Sequence, residues 1–360
     1  MNLKYYKELD GVRGLAALMV MIFHFAPDSN IYYLHLLKKI AVFGQTGVTL
    51  FFVLSGFLIT RILLQARSKG GYFKNFYMKR LLRIFPLYYF FLIIYYFVVP
   101  SLFHQPTAPF SKTWYYWFYL QNFADTFNWP NLGPQHYWSL AVEEHFYFFW
   151  PLIVYYLSEK NIHRLVYWII GLALVCRIIL ILNDYGTFYF TFTTMDCLAM
   201  GALLAISEEH GSGSYKLWRV LSIISISLLL PIWFIFNGAG NNLIQIVKLP
   251  TIALFYTSII GCLITGRSVL NRFFDLRFLQ FTGKISYGLY VFHPLCFTLI
   301  DHFINPSNLL INAALSFFVS YAVAFISFYG FENHFIKLKR YFEIPTLNES
   351  THATAIIDKT

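Results

Sequence analysis

An arginine and a histidine stand eleven residues apart in the apolar stretch LDGVRGLAALMVMIFHF, Leu9 to Phe25. Eleven residues make about three helical turns, so Arg13 and His24 share one face of a helix, roughly 16 Å apart along its axis. Imidazole titrates near neutrality and can take a proton from a hydroxyl, the task of a general base. A guanidinium on the same stripe can hold an anion. Asp10 and Ala17 fall on that stripe too. The face therefore reads as one side of a polar channel, or else Asp10 and Arg13 mark one membrane interface and His24 the other.

Other ionisable groups sit in apolar surroundings, where each costs roughly 2.5–3.5 kcal/mol on insertion scales unless it meets a partner or a cavity. YMKRLLRIFPLYY places Arg80 and Arg83 one turn apart. Two guanidiniums at that spacing can clamp phosphates bidentately, or can serve as a basic anchor at a membrane edge. QHYWSLAVEEHFYFFWP sets Glu143 and Glu144 among aromatic residues. His136, Glu143 and His145 lack the H-E-x-x-H spacing, and no second carboxylate–histidine set is evident, so no metal is expected. Asp196 in TMDCLAMGALLA and His293 in GKISYGLYVFHP are each either a site member or a satisfied buried polar group. Ser55, in VLSGF, lacks the G-x-S-x-G elbow of a serine hydrolase.

These side chains need elements that carry them through an apolar medium. Of the 360 residues 58% are hydrophobic and 12% charged, against about 25% charged in a soluble domain, so the chain is built for lipid. Ten apolar runs are of spanning character: Val12–Phe25, Ile40–Leu64, Leu81–Val99, Tyr137–Leu157, Leu165–Leu182, Thr191–Ile206, Leu217–Phe236, Leu249–Thr265, Ile285–Phe303 and Leu310–Phe331. No ten-residue alternating strands suggest a β-barrel. The expected fold is an all-α polytopic membrane bundle of about ten transmembrane helices. Of 27 Lys and Arg residues, all but Lys38, Lys39, Lys112, Lys248 and the intraspan Arg177 fall on one side, which puts both termini in the cytoplasm. The formal charge of +10 is then a topological signal, and no nucleic-acid partner is expected. Cys176, Cys197, Cys262 and Cys296 are scattered singly through apolar runs and read as buried small side chains. The first stretch is not followed by a small-residue cleavage site and is expected to remain as a helix. Residues 1–341 read as one transmembrane domain and 342–360 as a flexible cytoplasmic tail. The segment from Pro100 to His136 holds Trp114, Tyr115, Tyr116, Trp117 and Trp129, which suit either an interfacial aromatic belt or ring faces for a sugar.

Taken together in their order, these motifs resemble the membrane-bound acyltransferase family 3. Arg13 and His24 match its R-x10-H pattern, Arg80 and Arg83 its R-x-x-R element, and Trp138, Ser139, Leu140 and Glu143 its WSL..E element. FFVLSGFLIT, GKISYGLYVFHP and the late FENHF look like further family blocks, so the resemblance covers nearly the whole chain. Thr194 stands where members often carry an arginine, and His334 where a proline usually follows the final glutamate. A stand-alone architecture is expected, without a fused esterase-like domain.

The resemblance implies transfer of an acyl group, commonly acetyl, from cytosolic acyl-CoA to a hydroxyl of a cell-surface or lipid-linked glycan. It places the protein in the bacterial inner, or cytoplasmic, membrane, among membrane lipids. Arg80 and Arg83 would hold the anionic donor. Arg13 would favour the donor's negative groups or a developing oxyanion, and His24 would act as general base. Glu143 would orient His24, with Asp10, Asp196 and His293 in support. A transporter or flippase for a lipid-linked glycan is the main alternative, since it too lines a membrane cavity with charge, although no internal repeat is visible here.

Overall fold

An apolar segment in lipid satisfies its backbone by bonding within itself, and this chain does so along its length. The computed structural model describes residues 4–25, 34–234 and 242–342. Among them there is no β-strand. Ten long helices carry the fold: α1 (Glu8–Phe25), α2 (Thr46–Ala66), α3 (Tyr72–Ile93), α4 (Trp138–Tyr156), α5 (Glu159–Leu182), α6 (Thr191–Glu209), α7 (Tyr215–Phe234), α8 (Asn242–Thr265), α9 (Ser286–Phe303) and α10 (Leu309–Ser327). Most of each expected span falls on one of them, although the second, Ile40–Leu64, begins in a separate helix, Leu34–Phe43, and the third and tenth run on into the π-helical turns Ile94–Val98 and Phe328–Glu332; the end of the seventh (235–236) and the tail (343–360) lie outside the described residues.

Among the described residues six helical stretches, built on α2, α3, α5, α7, α8 and α10, are long and apolar enough to cross a membrane. The other four helices, α1, α4, α6 and α9, carry Arg13 and His24, Glu143 and Glu144, Asp196, and His293. Outward-facing apolar side chains such as Phe149, Trp168, Leu182 and Phe318 remain exposed, as a lipid-facing surface requires.

The centre is α2, which packs against α1, α4, α6 and α8. Its crossing with α6 depends on two glycines. A Cβ on Gly56 would stand 2.0 Å from the Leu198 carbonyl oxygen, and one on Gly201 2.0 Å from that of Val53. Small residues on both sides let the two backbones touch, the common way of packing helices without a hydrophobic drive between them. The same device fixes α1 against a short helix, Arg277–Lys284: Gly14 abuts Leu279, and Gly283 abuts Asp10. Lys7 pairs with Asp275 at the start of α1. On α2, Arg61 pairs with Glu208 of α6 at 2.6 Å, and Tyr6 donates to that same carboxylate at 2.7 Å. The rotation of α1, and with it the direction of Arg13 and His24, is set by these contacts.

The segment between α3 and α4 folds into short helical turns, including Trp114–Trp117 and Gln121–Thr126. Tyr88 stacks between Tyr119 and Tyr137 at 4.2 and 4.8 Å and donates to the Tyr116 carbonyl at 2.7 Å. Tyr115 and Tyr116 are buried. These rings are the core of a cap on the bundle.

Candidate active site

Helices α1, α2, α3, α4 and α9 surround a cavity of about 270 Å³, the basic chamber. Arg13 enters it from α1 and Arg80 and Arg83 from α3, so the two arginine motifs of the sequence meet in one place. Ser139, Glu143 and Tyr147 stand four residues apart on α4 and form a row facing them. The Arg80 guanidinium lies over the Tyr147 ring at 5.2 Å. Glu143 accepts hydrogen bonds from Ser55 at 2.8 Å and Tyr147 at 3.1 Å. Glu144 also lines the chamber, and its Oε1 has no hydrogen-bond partner.

A second cavity of about 550 Å³, the mouth, shares Arg13, Arg83 and Tyr287 with the first. Arg277 and Lys284 add two cations from the short helix that braces α1. Against these stand Asp10, paired with Arg13 at 3.3 Å, and Glu332, bonded by Ser327 at 2.9 Å. Among the described residues of the mouth cations outnumber carboxylates, which favours an anionic visitor. In the sequence Arg277 and Lys284 read only as topological charge.

His24 lines a third and larger cavity of about 790 Å³, the histidine chamber. His293 Nδ1 lies 2.9 Å from the Leu289 carbonyl oxygen, which can only accept, so in the neutral ring Nδ1 carries the proton. Its Nε2 is then an acceptor, 3.0 Å from His24 Nδ1. His24 Nδ1 therefore donates, and it lies 3.0 Å from the Val20 carbonyl as well. The proton of His24 is fixed on Nδ1, and the lone pair is left on Nε2. This is the state a general base needs, set by a backbone carbonyl through one intervening imidazole. His136 completes the cluster, its ring 6.4 Å from that of His24 and 5.5 Å from that of His293, with Nε2 3.2 Å from the Val291 carbonyl. Among the described residues no three His, Cys, Asp or Glu side chains are arranged to hold a metal ion.

Tyr290 and Ser139 form the wall between the basic and histidine chambers. Both line the basic chamber. The Tyr290 hydroxyl donates to the His136 carbonyl at 2.6 Å and is bonded to Ser139, and its ring lies 5.5 Å from that of His136 and 6.0 Å from that of His293. The basic chamber and the histidine chamber are separate cavities that share no described lining residue, with the Tyr290–Ser139–His136 contacts between them.

Four expectations change accordingly. Glu143 was expected to orient His24; its carboxylate is instead engaged by Ser55 and Tyr147, and His24 is oriented by His293 and Val20. Arg13 cannot stabilise an oxyanion formed beside His24, because three turns of α1 separate them, and it belongs with Arg80 and Arg83. The aromatic residues of the cap, Trp114 to Trp117 and Trp129, do not line the histidine chamber; Phe91, Tyr95, Trp138 and Tyr189 do. Asp196 stands apart from all three chambers, fully buried in an ion pair of 2.6 Å with Arg177 of α5. The guanidinium missing at Thr194 is supplied from the neighbouring helix. Tyr290, missed in the sequence, was in principle visible: Ser286, Tyr290 and His293 follow the i, i+4, i+7 rule of one helix face.

A family model described as an acyltransferase domain matches residues 6–329. The peptidoglycan O-acetyltransferase OatA of Listeria monocytogenes is 30% identical over 94% of this chain and 59% of its own length. The O-acetyltransferase OatA of Staphylococcus aureus is 29% identical over 81% of this chain and 50% of its own. The chain thus spans between half and three fifths of the length of these relatives. No solved structure matches it.

Proposed function

This chain belongs to the acyltransferase family whose domain model it matches over nearly its whole length, and from that premise we propose that it moves an acyl group, acetyl first among candidates, from cytosolic acyl-CoA to a hydroxyl of a surface or lipid-linked glycan. All ten long helices cross the membrane, with both termini and the mouth on the cytoplasmic side and the histidine chamber toward the outer face. The relatives' names, O-acetyltransferase and peptidoglycan O-acetyltransferase, support the reaction class and a saccharide acceptor.

The mouth and basic chamber fit an anionic donor. Arg277 and Lys284 meet its charged head first; Arg83 and Arg13, shared between the two cavities, draw it inward, and Arg80 adds a third guanidinium there. The donor's extended arm carries the thioester past Tyr290 and Ser139 to His24. There His24 Nε2 takes the proton of the acceptor hydroxyl as its oxygen bonds to the thioester carbon. The tetrahedral adduct collapses with cleavage of the C–S bond, and the imidazolium returns the proton to the leaving sulfur. The products are an ester and a free thiol, and the base is regenerated.

The observation that carries this reading is the His24 ring, whose Nδ1 is held by Val20 and His293 so that Nε2 is left as the basic nitrogen, at the wall of a cavity in the same helix bundle as the chamber of Arg13, Arg80 and Arg83. His24→Ala should lower transfer of labelled acetyl from acetyl-CoA by at least about a hundredfold, the usual weight of a general base. Donor affinity and thermal stability of the purified protein should be unchanged. Wild-type turnover in that variant would remove His24 from the mechanism.

A further inference from the structure

The short helix Arg277–Lys284 that braces α1 meets three different surroundings. Leu279 and Gly283 press against Gly14 and Asp10 of α1. Phe278 and Phe281, one turn apart, face α10 instead: the Phe278 ring stacks on Tyr321 at 6.1 Å, and that of Phe281 lies 6.4 Å from Phe325. Arg277 and Lys284, seven residues apart and so on one side of the helix, are both exposed and line the mouth. The helix of α10 belongs to a stretch long and apolar enough to span, and little of it is buried in the bundle, so its outward face meets lipid chains. Phe318, Phe325 and Ile326 are exposed on it, and Phe278, 57% exposed, extends the same apolar surface onto the short helix. Lys284 stands where that surface ends. Its ammonium donates to the Tyr329 hydroxyl at 3.1 Å and lies over the Phe328 and Tyr329 rings at 5.3 and 5.0 Å. Aromatic rings beside long cations mark the headgroup level of a bilayer. A basic helix with phenylalanine on another face is the pattern that lies in that layer and attracts anionic lipid.

We infer that the short helix is a binding site for an anionic phospholipid of the leaflet on the mouth side, its phosphate held by Arg277 and Lys284 and one acyl chain laid along Phe278, Phe281 and Phe325. A soluble phosphate brings charge but nothing to cover the rings. A zwitterionic lipid covers the rings but brings no net charge. The anionic lipid answers both features, and they sit on adjoining sides of one helix. Because Arg277 and Lys284 also line the mouth, the bound headgroup forms part of its rim. The inference goes beyond the acyl-transfer reading and does not depend on it, since lipid binding requires no turnover.

The test is lipid titration of the full-length chain in detergent micelles, followed by native mass spectrometry, with phosphatidylglycerol and phosphatidylcholine of identical acyl chains. Each basic residue beside an anionic headgroup is worth about fivefold, so phosphatidylglycerol should bind at least about tenfold more tightly than phosphatidylcholine. Arg277→Gln combined with Lys284→Gln should remove that preference and leave phosphatidylcholine affinity unmoved, which also shows that the variant is folded. Arg277→Lys keeps the charge and should keep the preference. Phe278→Ser combined with Phe281→Ser should weaken both lipids at least about threefold, because the chain contact is common to them. Lys216→Gln combined with Arg219→Gln removes two exposed cations from the start of α7 and should leave the preference standing. Equal binding of the two lipids by wild type, a preference that survives loss of Arg277 and Lys284, or one lost as fully in the α7 control would overturn the assignment. Glycerol phosphate, the headgroup without its chains, binding as tightly as the whole lipid would overturn it too, and would leave soluble phosphate as the occupant.

Discussion

At the scale of the residue, His24 is defined by the groups behind it. Its Nδ1–H faces two acceptors, the Val20 carbonyl and His293 Nε2, each at 3.0 Å. The second fixes the tautomer through the Leu289 carbonyl, 2.9 Å from His293 Nδ1. His293→Phe leaves the Val20 contact and deletes the imidazole acceptor. Turnover should fall about tenfold, the weight of one hydrogen bond of ~1.4 kcal/mol. The KM for acetyl-CoA should not move, because the proposed function has the donor's charge held in the other chambers. His293→Gln supplies an amide oxygen that can accept from His24 and should recover part of the loss. A purely packing role predicts instead that Phe, which fills the ring's volume, outperforms Gln. Steady-state kinetics of the three proteins decide between the two. The sequence disclosed His24 and Arg13 by their spacing within one helix. It did not disclose the partner of His24, which stands 269 positions away.

At the scale of the element, periodicity identified which segments are helices and which faces are polar, and it stopped where faces must be matched between helices. Helix α4 illustrates this. Ser139, Glu143 and Tyr147 follow the i, i+4 rule, so a polar row was legible, but its partners Ser55 and Arg80 come from α2 and α3. Glu143 was therefore assigned to the wrong neighbour. Asp196 shows the same boundary: the sequence displayed an unpaired aspartate and, separately, an unexplained Arg177 inside span five. Packing of α5 on α6 joins them, both fully buried. Breaking a buried pair leaves one charge uncompensated, at a cost of about 3–5 kcal/mol, while replacing both with apolar residues of similar volume is often nearly neutral. Arg177→Met and Asp196→Leu should each lower the thermal midpoint of the detergent-solubilised protein sharply, and the double variant should recover most of it. Since the pair lies outside the three chambers, the double variant should also keep acyl transfer within a few-fold of wild type. A folded double variant with no activity would place the pair in the reaction.

At the scale of the whole molecule, three chambers are arranged along the bundle: a cationic mouth, a basic chamber sharing Arg13 and Arg83 with it, and, beyond Tyr290 and Ser139, a chamber at His24 that no Asp, Glu, Lys or Arg among the described residues lines. The order imposes a direction. On the proposed reading the polyanionic donor is attracted to the mouth and basic chamber, where Arg13, Arg83, Arg277 and Lys284 stand, and the acceptor meets His24 in the other chamber. Proteoliposomes with the protein in a single orientation test this, with labelled acetyl-CoA and chitotetraose as membrane-impermeant reactants added to either face. Label should reach the sugar only when donor is supplied at the mouth and sugar at the histidine chamber. Exchanging the two sides should abolish transfer, and so should placing both reactants on the mouth side, where donor binds but the acceptor cannot reach His24. Arg83→Ala should raise the donor concentration needed for half-maximal transfer, make its dependence on salt shallower, and leave this sidedness intact, because it removes one cation from the path without opening the wall. Transfer with both reactants on one face would mean that the chambers open to a common side, and the serial arrangement would then have no part in the chemistry.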